Sequence, residues 1–291
     1  MYETFYNLTG KPFQLSPDPS FYFASKGHSR AFAYLKYGVY QGEGFIVITG
    51  DIGTGKTTLV QALLSQLDSN QIVAVQLIST QLKDDDLVPA VAASFGLPVK
   101  DFSKAELLAQ LRSFLTSLAA ENRRALLIVD EAQHLTLRGI EELRMLSNFQ
   151  IGARALLQSF LIGQPELREL LLDPSMKPLC QRVIASYHLG PMDREETKTY
   201  VLHRLLRVKW RNDPKLQEAI FDRLYEVAGG VPRMINAMCN RLFLSASVAG
   251  RHVIGSEEFA KTLEEMRDEI GSELRLDATS ANPARVRSHY R

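Results

Sequence analysis

Short apolar runs rich in β-branched residues alternate with longer helical patterns over roughly the first two-thirds of the chain. A strand inside a parallel sheet has this composition because helices cover both of its faces. Five such runs predict strands at Phe45–Thr49, Ile72–Ile78, Ala125–Asp130, Ser159–Gly163 and Val183–Leu189. Strands that alternate with helices form βαβ units, so we expect an α/β fold with a parallel five-stranded sheet sandwiched by helices.

The pattern changes near Pro191, after which the apolar positions follow a helical period. Helices are predicted over residues 193–211, 214–228, 231–249 and 256–270, with no strand pattern among them. We therefore expect an α/β domain over residues 1–191 and a small all-helical domain over 192–270. Residues 271–291 have few large apolar side chains and are expected to form a disordered tail. The α/β domain is expected to include an aromatic, proline-containing amino-terminal segment over residues 1–43. Within it, Pro12–Phe23 is expected to pack against the domain core, the alternative being that it lines an adenine pocket.

Composition indicates a globular protein. Of the 291 residues, 45% are hydrophobic and 23% are charged, and the net charge of +1 provides no general attraction to nucleic acid or to an anionic membrane. No stretch approaches the roughly 20 apolar residues that a membrane-spanning helix needs, and the amino terminus lacks the pattern of a signal peptide. This pattern predicts a soluble protein, and the isolated cysteines Cys180 and Cys239 predict reduced, buried thiols and hence a cytoplasmic location.

The segment Gly50–Thr57 matches the phosphate-binding (Walker A) loop pattern G-x-x-x-x-G-K-T, between a predicted strand and a predicted helix. Glycines let the backbone fold around phosphate groups, and the amino end of the following helix adds partial positive charge. Lys56 is expected to contact the β- and γ-phosphates of ATP, and the Thr57 hydroxyl to bind Mg²⁺. The residues expected to bind the nucleotide in this loop are Asp51, Ile52, Gly53, Thr54, Gly55, Lys56, Thr57 and Thr58.

Two carboxylates follow the predicted strand that ends at Asp130. Carboxylates at the end of an apolar strand are costly unless they have partners. Asp130, at the Walker B position, is expected to hold Mg²⁺, and Glu131 to polarise the water that attacks the γ-phosphate.

Five motifs carry a resemblance to a known family: GDIGTGKTT, LLIVDEAQHL, FLIGQPEL, LCQRVIASYHLGPMD and GGVPRMIN. In this order they resemble the AAA+ ATPases of the ExeA-like family, the general secretion pathway protein A group. The resemblance extends from Met1 to about Ile270, and it is closest to the short ATPases of exosortase/PEP-CTERM exopolysaccharide loci. It implies a P-loop (AAA+) α/β domain followed by a helical lid.

The resemblance implies three further roles. Gln164 occupies the sensor 1 position, where it would align the attacking water, although it could simply form a turn at the strand end. Arg182 matches an arginine finger that would complete the site of a neighbouring subunit, the alternative being an exposed helix arginine. Arg233 matches sensor 2, on the lid and facing the nucleotide of its own subunit.

Other positions leave alternatives open. His28 and Arg30 would either flank the adenine or lie on a surface helix. His134 stands where the family usually has Asn, and we interpret it as a tolerated change because both carboxylates are kept.

The resemblance implies an ATPase that hydrolyses ATP with Mg²⁺ to drive or regulate a surface polysaccharide or protein export system. It would be a homo-oligomer, with a hexamer as one candidate, and its partner an export-machinery or inner-membrane protein. Nucleic acid is not an expected partner, and membrane contact would be peripheral or through the partner. The long relatives carry a membrane span and a wall-binding domain, which this chain is expected to lack. The alternatives are a DNA-transposition helper ATPase and a nucleotide-gated regulator with negligible turnover.

Overall fold

The computed structural model describes residues 1–79 and 86–270. The chain forms two compact units, which we call the α/β unit (Asp18–Gly190) and the helical unit (Met1–Pro17 together with the residues from Pro191 onward). The predicted tail over 271–291 lies outside the described residues.

A single helical turn, α1 (Tyr2–Phe5), opens the chain and belongs to the helical unit. The helices of the α/β unit are α2 (Lys26–Gln41), α3 (Lys56–Leu64), α4 (Leu87–Ser94), α5 (Lys104–Ala120), α6 (Leu137–Leu146), α7 (Glu166–Leu171) and α8 (Lys177–Cys180). Its strands are β1 (Phe45–Thr49), β2 (Ile72–Ile78), β3 (Arg124–Asp130), β4 (Gln150–Ile151), β5 (Arg154–Ala155), β6 (Leu157–Gly163) and β7 (Val183–His188). The helical unit continues with α9 (Arg194–Arg207), β8 (Lys215–Leu216), α10 (Ala219–Ala228), α11 (Pro232–Val248), β9 (Val253–Ile254) and α12 (Ser256–Ile270).

The main sheet has five strands in the order β2-β3-β6-β1-β7, and every neighbouring pair is parallel. This confirms the predicted α/β fold and parallel five-stranded sheet. Thr49 at the end of β1 pairs with Gly163 at the end of β6, and Asp130 ends β3 beside Ile78 of β2. The carboxyl ends of these strands therefore meet at one edge of the sheet, where ligands bind in open α/β sheets.

The central strands β1, β3 and β6 are buried on both faces, which explains their continuous apolar composition. Phe45 and Val47 of β1 point into one hydrophobic cluster, and Ile46 and Ile48 point into another on the opposite face. Successive side chains of a strand alternate between faces, so helices must cover both sides of this sheet. Each such buried side chain contributes about 1.5–3 kcal/mol to folding.

The first 17 residues belong to the helical unit, which differs from the expectation that residues 1–43 are part of the α/β domain. The physical reason is aromatic packing. The rings of Tyr2, Tyr6 and Phe13 lie 5.8, 5.8 and 5.3 Å from that of Phe243 in α11. The Tyr2 hydroxyl also donates to Oδ1 of Asn240 at 2.9 Å.

Two smaller expectations were wrong. Strands β8 and β9 pair in parallel within the helical unit, where the sequence predicted no strand. Two residues are too few to show the alternation by which a strand is recognised. The thiol of Cys239 is buried as expected, but Cys180 is exposed.

Candidate functional site

The loop between β1 and α3 folds over the ammonium group of Lys56. This side chain is buried, and its Nζ donates hydrogen bonds to the backbone oxygens of Gly50 at 2.7 Å and Asp51 at 3.0 Å. Burial lowers the pKa of Lys56, against the opposing influence of nearby carboxylates, of which Glu131 is the strongest. An anion bound beside the Lys56 ammonium would stabilise its charged form and so offset the cost of its burial.

The loop backbone passes close to its neighbours at two glycines. Gly55 has a φ of +96°, and a Cβ there would lie 2.8 Å from Nε2 of His28. A Cβ on Gly50 would lie 2.5 Å from the backbone oxygen of Leu189. Because neither distance accommodates a side chain, the local packing requires glycine at both positions.

The other loop residues lie around this turn. Thr54 is fully buried, and its hydroxyl donates to the backbone oxygen of Asp51 at 2.9 Å, which closes the turn. Asp51 and Ile52 are exposed at the tip, and Gly53 has a φ of +82°.

Helix α3 begins directly after the loop and carries Lys56, Thr57 and Thr58 in its first turn. Its N-cap residue is Gly55, and no side chain of the described residues caps this helix end. The amino end of a helix carries partial positive charge and free N–H groups, which are suited to bind phosphate oxygens.

The carboxylate of Asp130 lies next to the start of α3. Its Oδ2 accepts hydrogen bonds from the Thr57 hydroxyl at 3.2 Å and from Nε2 of Gln76 at 3.0 Å, and its Oδ1 accepts from the backbone N–H of Glu131 at 3.0 Å. The pKa of Asp130 is raised, mainly by burial and further by the charge of Glu131. The hydrogen bonds from the backbone of Glu131 and from the side chains of Thr57 and Gln76 oppose this shift. The site thus disfavours the charged carboxylate, and a cation beside it would offset this cost.

Glu131 follows in the left-handed backbone region, with a φ of +54°. Its Oε2 accepts hydrogen bonds from Nε2 of Gln133 at 2.6 Å and from Nε2 of Gln164 at 3.3 Å. Burial by itself would raise the pKa of Glu131, but these two amides and the charge of Lys56 bring the pKa below its usual value. Glu131 is therefore held as a carboxylate.

Sequence reasoning missed three residues of this cluster. Gln133 bonds Glu131, Gln76 bonds Asp130, and the Ser79 hydroxyl donates to the backbone oxygens of Asp130 and Glu131 at 3.1 and 2.7 Å. A signal existed for Gln76, which is a polar residue in the otherwise apolar run Ile72–Ile78. Gln133 also had a signal, since it stands within the family motif LLIVDEAQHL. Ser79 carried none, because polar residues after a strand are common in loops.

Arg182 is not part of this cluster. Its backbone oxygen accepts a hydrogen bond from the N–H of Phe45 at 2.9 Å, at the start of β1, so it lies at the amino edge of the sheet and the loop at the carboxyl edge. Its Nη1 donates to the hydroxyl of Ser147 at 2.6 Å, and the side chain is half-buried. An action of Arg182 on bound nucleotide would therefore need the site of another subunit.

Arg233 belongs to the helical unit, where it is the second residue of α11 and has an exposed side chain. The preceding turn is narrow. Gly230 has a φ of +74°, and a Cβ there would lie 2.0 Å from the backbone oxygen of Met192. Because only glycine fits this turn, it determines where α11 begins and where it presents Arg233.

The side chains of His28, Arg30 and His134 differ in how far they are buried. His28 is buried, with Nδ1 at 2.7 Å from the Ser25 hydroxyl and Nε2 facing Gly55, so the surface-helix interpretation was wrong for this residue. Arg30 is exposed, as that interpretation expected, and His134 is exposed as well.

The residues at the loop fit a magnesium ion shared with phosphate. No group of three or more His, Cys, Asp or Glu side chains suited to a metal occurs in the part of the chain that the structure describes. Mg²⁺ in nucleotide sites needs fewer protein ligands, because phosphates and water complete its octahedron. The Thr57 hydroxyl and the Asp130 carboxylate are hard oxygen ligands of the kind that Mg²⁺ prefers, and they already form a hydrogen bond with each other.

Residues 39–171 match the AAA domain family. The Aeropyrum pernix ORC2 protein, in its ADPNP-ADP complexes, superposes with a TM-score of 0.62 at 16% identity, covering 82% of this chain and 66% of that chain. The Thermotoga maritima RuvB Holliday junction branch migration motor superposes with a TM-score of 0.54 at 20% identity, covering 82% of this chain and 68% of that chain. Identities this low show the fold alone, and the α/β unit is a AAA domain with the P-loop NTPase fold.

The chain is also similar to General secretion pathway protein A of Aeromonas hydrophila, at 38% identity over 255 residues. The match covers 87% of this chain and 46% of that protein, so the chain spans about half the length of its relative. The chain thus carries a AAA domain and is related to general secretion pathway protein A, which confirms the resemblance inferred from the five motifs. The closer likeness to exosortase-associated ATPases stays a prediction.

None of the helices in residues 1–79 and 86–270 combines the length and the apolar composition that crossing a membrane requires.

Proposed function

We propose that the protein binds ATP with Mg²⁺ at the loop and hydrolyses it to ADP and phosphate. The observation that carries this proposal is the contact of Thr57 with Asp130 beside the amide-held carboxylate of Glu131. A residue suited to bind Mg²⁺ and a carboxylate suited to polarise water thus lie next to a phosphate-binding loop.

In this proposal the loop between β1 and α3 binds the phosphates of the nucleotide. Lys56 exchanges the backbone oxygens of Gly50 and Asp51 for the β- and γ-phosphates, and its buried charge is neutralised there. Backbone N–H groups from Asp51 to Thr58 surround the phosphates. Thr57 and Asp130 hold Mg²⁺, which when bound neutralises charge on the phosphate oxygens.

Glu131 polarises the attacking water and takes up its proton. A carboxylate is required for this role, and the hydrogen bonds that keep the pKa of Glu131 low favour the carboxylate. Gln164 helps to orient the same water, because its amide already reaches the Glu131 carboxylate.

The remaining roles involve the lid and a second subunit. Arg233 senses the nucleotide from the helical lid, and Arg182 completes the site of a neighbour in a homo-oligomer, for which a hexamer is one candidate. A guanidinium beside the γ-phosphate stabilises the charge of the transition state. The position of Arg182 away from its own loop supports an action in trans.

The cellular role in this proposal is to drive or regulate export of a surface polysaccharide or protein, through an export-machinery or inner-membrane partner. The protein would work in the cytoplasm or at the periphery of the inner membrane. The similarity to general secretion pathway protein A supports this role.

The test compares wild-type protein with Glu131→Gln and Lys56→Ala variants. Wild type is expected to release phosphate from Mg-ATP, Glu131→Gln to retain ATP with turnover at least about a hundredfold slower, and Lys56→Ala to bind no nucleotide. Equal, very slow hydrolysis by wild type and Glu131→Gln would instead identify a nucleotide-gated regulator.

Partners are tested by affinity capture with the ATP-retaining Glu131→Gln variant, using Lys56→Ala as the nucleotide-free control. Export-machinery or inner-membrane proteins enriched in the first sample alone would support the export role. A salt-sensitive increase of the ATPase rate on addition of duplex DNA would overturn that role in favour of a DNA-transposition helper.

A further inference from the structure

Gln133 makes two hydrogen bonds with opposite ends of one amide group. Its Nε2 donates to Oε2 of Glu131 at 2.6 Å, and its Oε1 accepts from the backbone N–H of Gln164 at 2.9 Å. The first bond reaches the carboxylate proposed to polarise water, and the second reaches the residue that follows the end of β6. One side chain thus connects two parts of the site that are 33 positions apart in sequence.

The surrounding backbone is shaped to hold this amide. Residues Ala132–His134 form a turn of 3₁₀ helix directly after Glu131, which directs Gln133 back toward β6. At the end of β6, a Cβ on Gly163 would lie 2.8 Å from Oε1 of Gln133. A larger residue at position 163 would therefore displace the amide oxygen from the N–H of Gln164.

Gln133 also makes the shorter of the two side-chain hydrogen bonds to the Glu131 carboxylate. The amide of Gln164 reaches the same oxygen at 3.3 Å, compared with 2.6 Å for Gln133. Hydrogen bonds to a charged acceptor are stronger than neutral ones, and short ones more so. The orientation of Glu131 therefore depends mainly on Gln133.

We propose that Gln133 is the positioning residue of this site: it holds the Glu131 carboxylate through its amide N–H and ties that carboxylate to the end of β6 through its amide oxygen. This inference rests on the proposed function, because it assigns Gln133 an effect on turnover that acts through Glu131. Gln133 itself touches neither water nor phosphate in this role.

Two variants separate the two ends of the amide. Gln133→Glu keeps the shape and an acceptor for the N–H of Gln164, but it replaces the donor to Glu131 with a second carboxylate. Gln133→Met keeps the length and removes both bonds. We expect both to lower kcat at least about tenfold, which corresponds to about 1.4 kcal/mol, while KM and the Kd for ATP change less than about twofold. Gln150→Glu, the same substitution at an exposed position, is the control.

The decisive measurement is turnover in the Glu131→Gln background. If Gln133 acts through Glu131, a further Gln133→Glu change alters the residual hydrolysis rate less than about twofold. If both changes multiply their effects, Gln133 has a general structural role and the proposal is wrong. An unchanged kcat in Gln133→Met also overturns it.

A second measurement is independent of catalysis. A double-mutant cycle of Glu131→Ala and Gln133→Ala, followed by urea unfolding, measures whether the two side chains interact. Non-additive changes in the free energy of unfolding support the contact, and additive changes overturn the proposal. Wild type that does not hydrolyse ATP would refute the proposed function, whereas active wild type with additive effects would refute the role of Gln133 alone.

Discussion

The hydroxyl of Thr57 donates a hydrogen bond to Oδ2 of Asp130 across 3.2 Å, although the two residues are 73 positions apart. Thr57 is in the first turn of α3 after β1, and Asp130 ends β3, with β6 between the two strands in the sheet. Because all these strands are parallel, their carboxyl ends bring the loop and the carboxylate to one edge.

We expect Thr57→Ala to weaken binding of nucleotide in the presence of Mg²⁺ by roughly tenfold, since one oxygen ligand is lost. Thr57→Ser keeps the hydroxyl and is the matched control. Fluorescent-nucleotide titrations with Mg²⁺ and with EDTA measure the difference. An equal loss under both conditions would show that Thr57 does not act through the metal.

Asp130→Asn is expected to stabilise the nucleotide-free protein while it abolishes stabilisation by Mg-ATP. The buried carboxylate costs free energy without a cation, as its raised pKa indicates, and the neutral amide avoids this cost. Urea unfolding at neutral pH should show a gain of roughly 1 kcal/mol in the free energy of unfolding. A less stable variant would mean that the bonds to Thr57 and Gln76 outweigh the burial of charge.

Gly55→Ala should prevent nucleotide binding, because the new Cβ would meet Nε2 of His28 at 2.8 Å. Gly96→Ala provides the control, since Gly96 also has a positive φ of +80°, but a Cβ there would meet no described residue within 4 Å other than its chain neighbours. Both changes should lower stability by about 1–2 kcal/mol through the left-handed backbone. Calorimetric titration with Mg-ATP should then show a loss of binding for Gly55→Ala alone.

A mixture of Arg182→Ala and Lys56→Ala proteins should recover ATPase activity that neither protein has by itself. Each subunit would supply what the other lacks, an intact loop or an intact arginine. Turnover is measured over a range of mixing ratios, with Arg144→Ala, which removes an arginine paired with Glu141, in place of Arg182→Ala as the control for loss of an arginine. Absence of recovery in intact oligomers would remove the arginine-finger role.

Prediction from the sequence worked best where the signal was local. The run Phe45–Thr49 matches β1 at both ends, because a buried strand must be apolar throughout. The helix predicted over 193–211 instead ends at Arg207, followed by Lys209 in the left-handed region. A helix end depends on such backbone details, which apolar periodicity does not contain.

The grouping of Met1–Pro17 with the helical unit shows a different limit. The aromatic residues of this segment predict that it packs against something, since large rings are rarely left in water. They do not identify the partner, which here is Phe243, more than 200 positions away in sequence.

The sequence by itself determined the chemistry of single positions: a phosphate-binding loop at Gly50–Thr57 and two carboxylates at the end of an apolar strand. These follow from local spacing, since loop, strand and helix form from neighbours in the chain. The tertiary structure alone decided which groups meet: that the amide of Gln133 reaches the backbone N–H of Gln164, that Gln76 reaches Asp130, and that Arg182 stands away from its own loop. Such contacts depend on strand order, register and close packing, which couple residues far apart in sequence and leave no periodic trace in it.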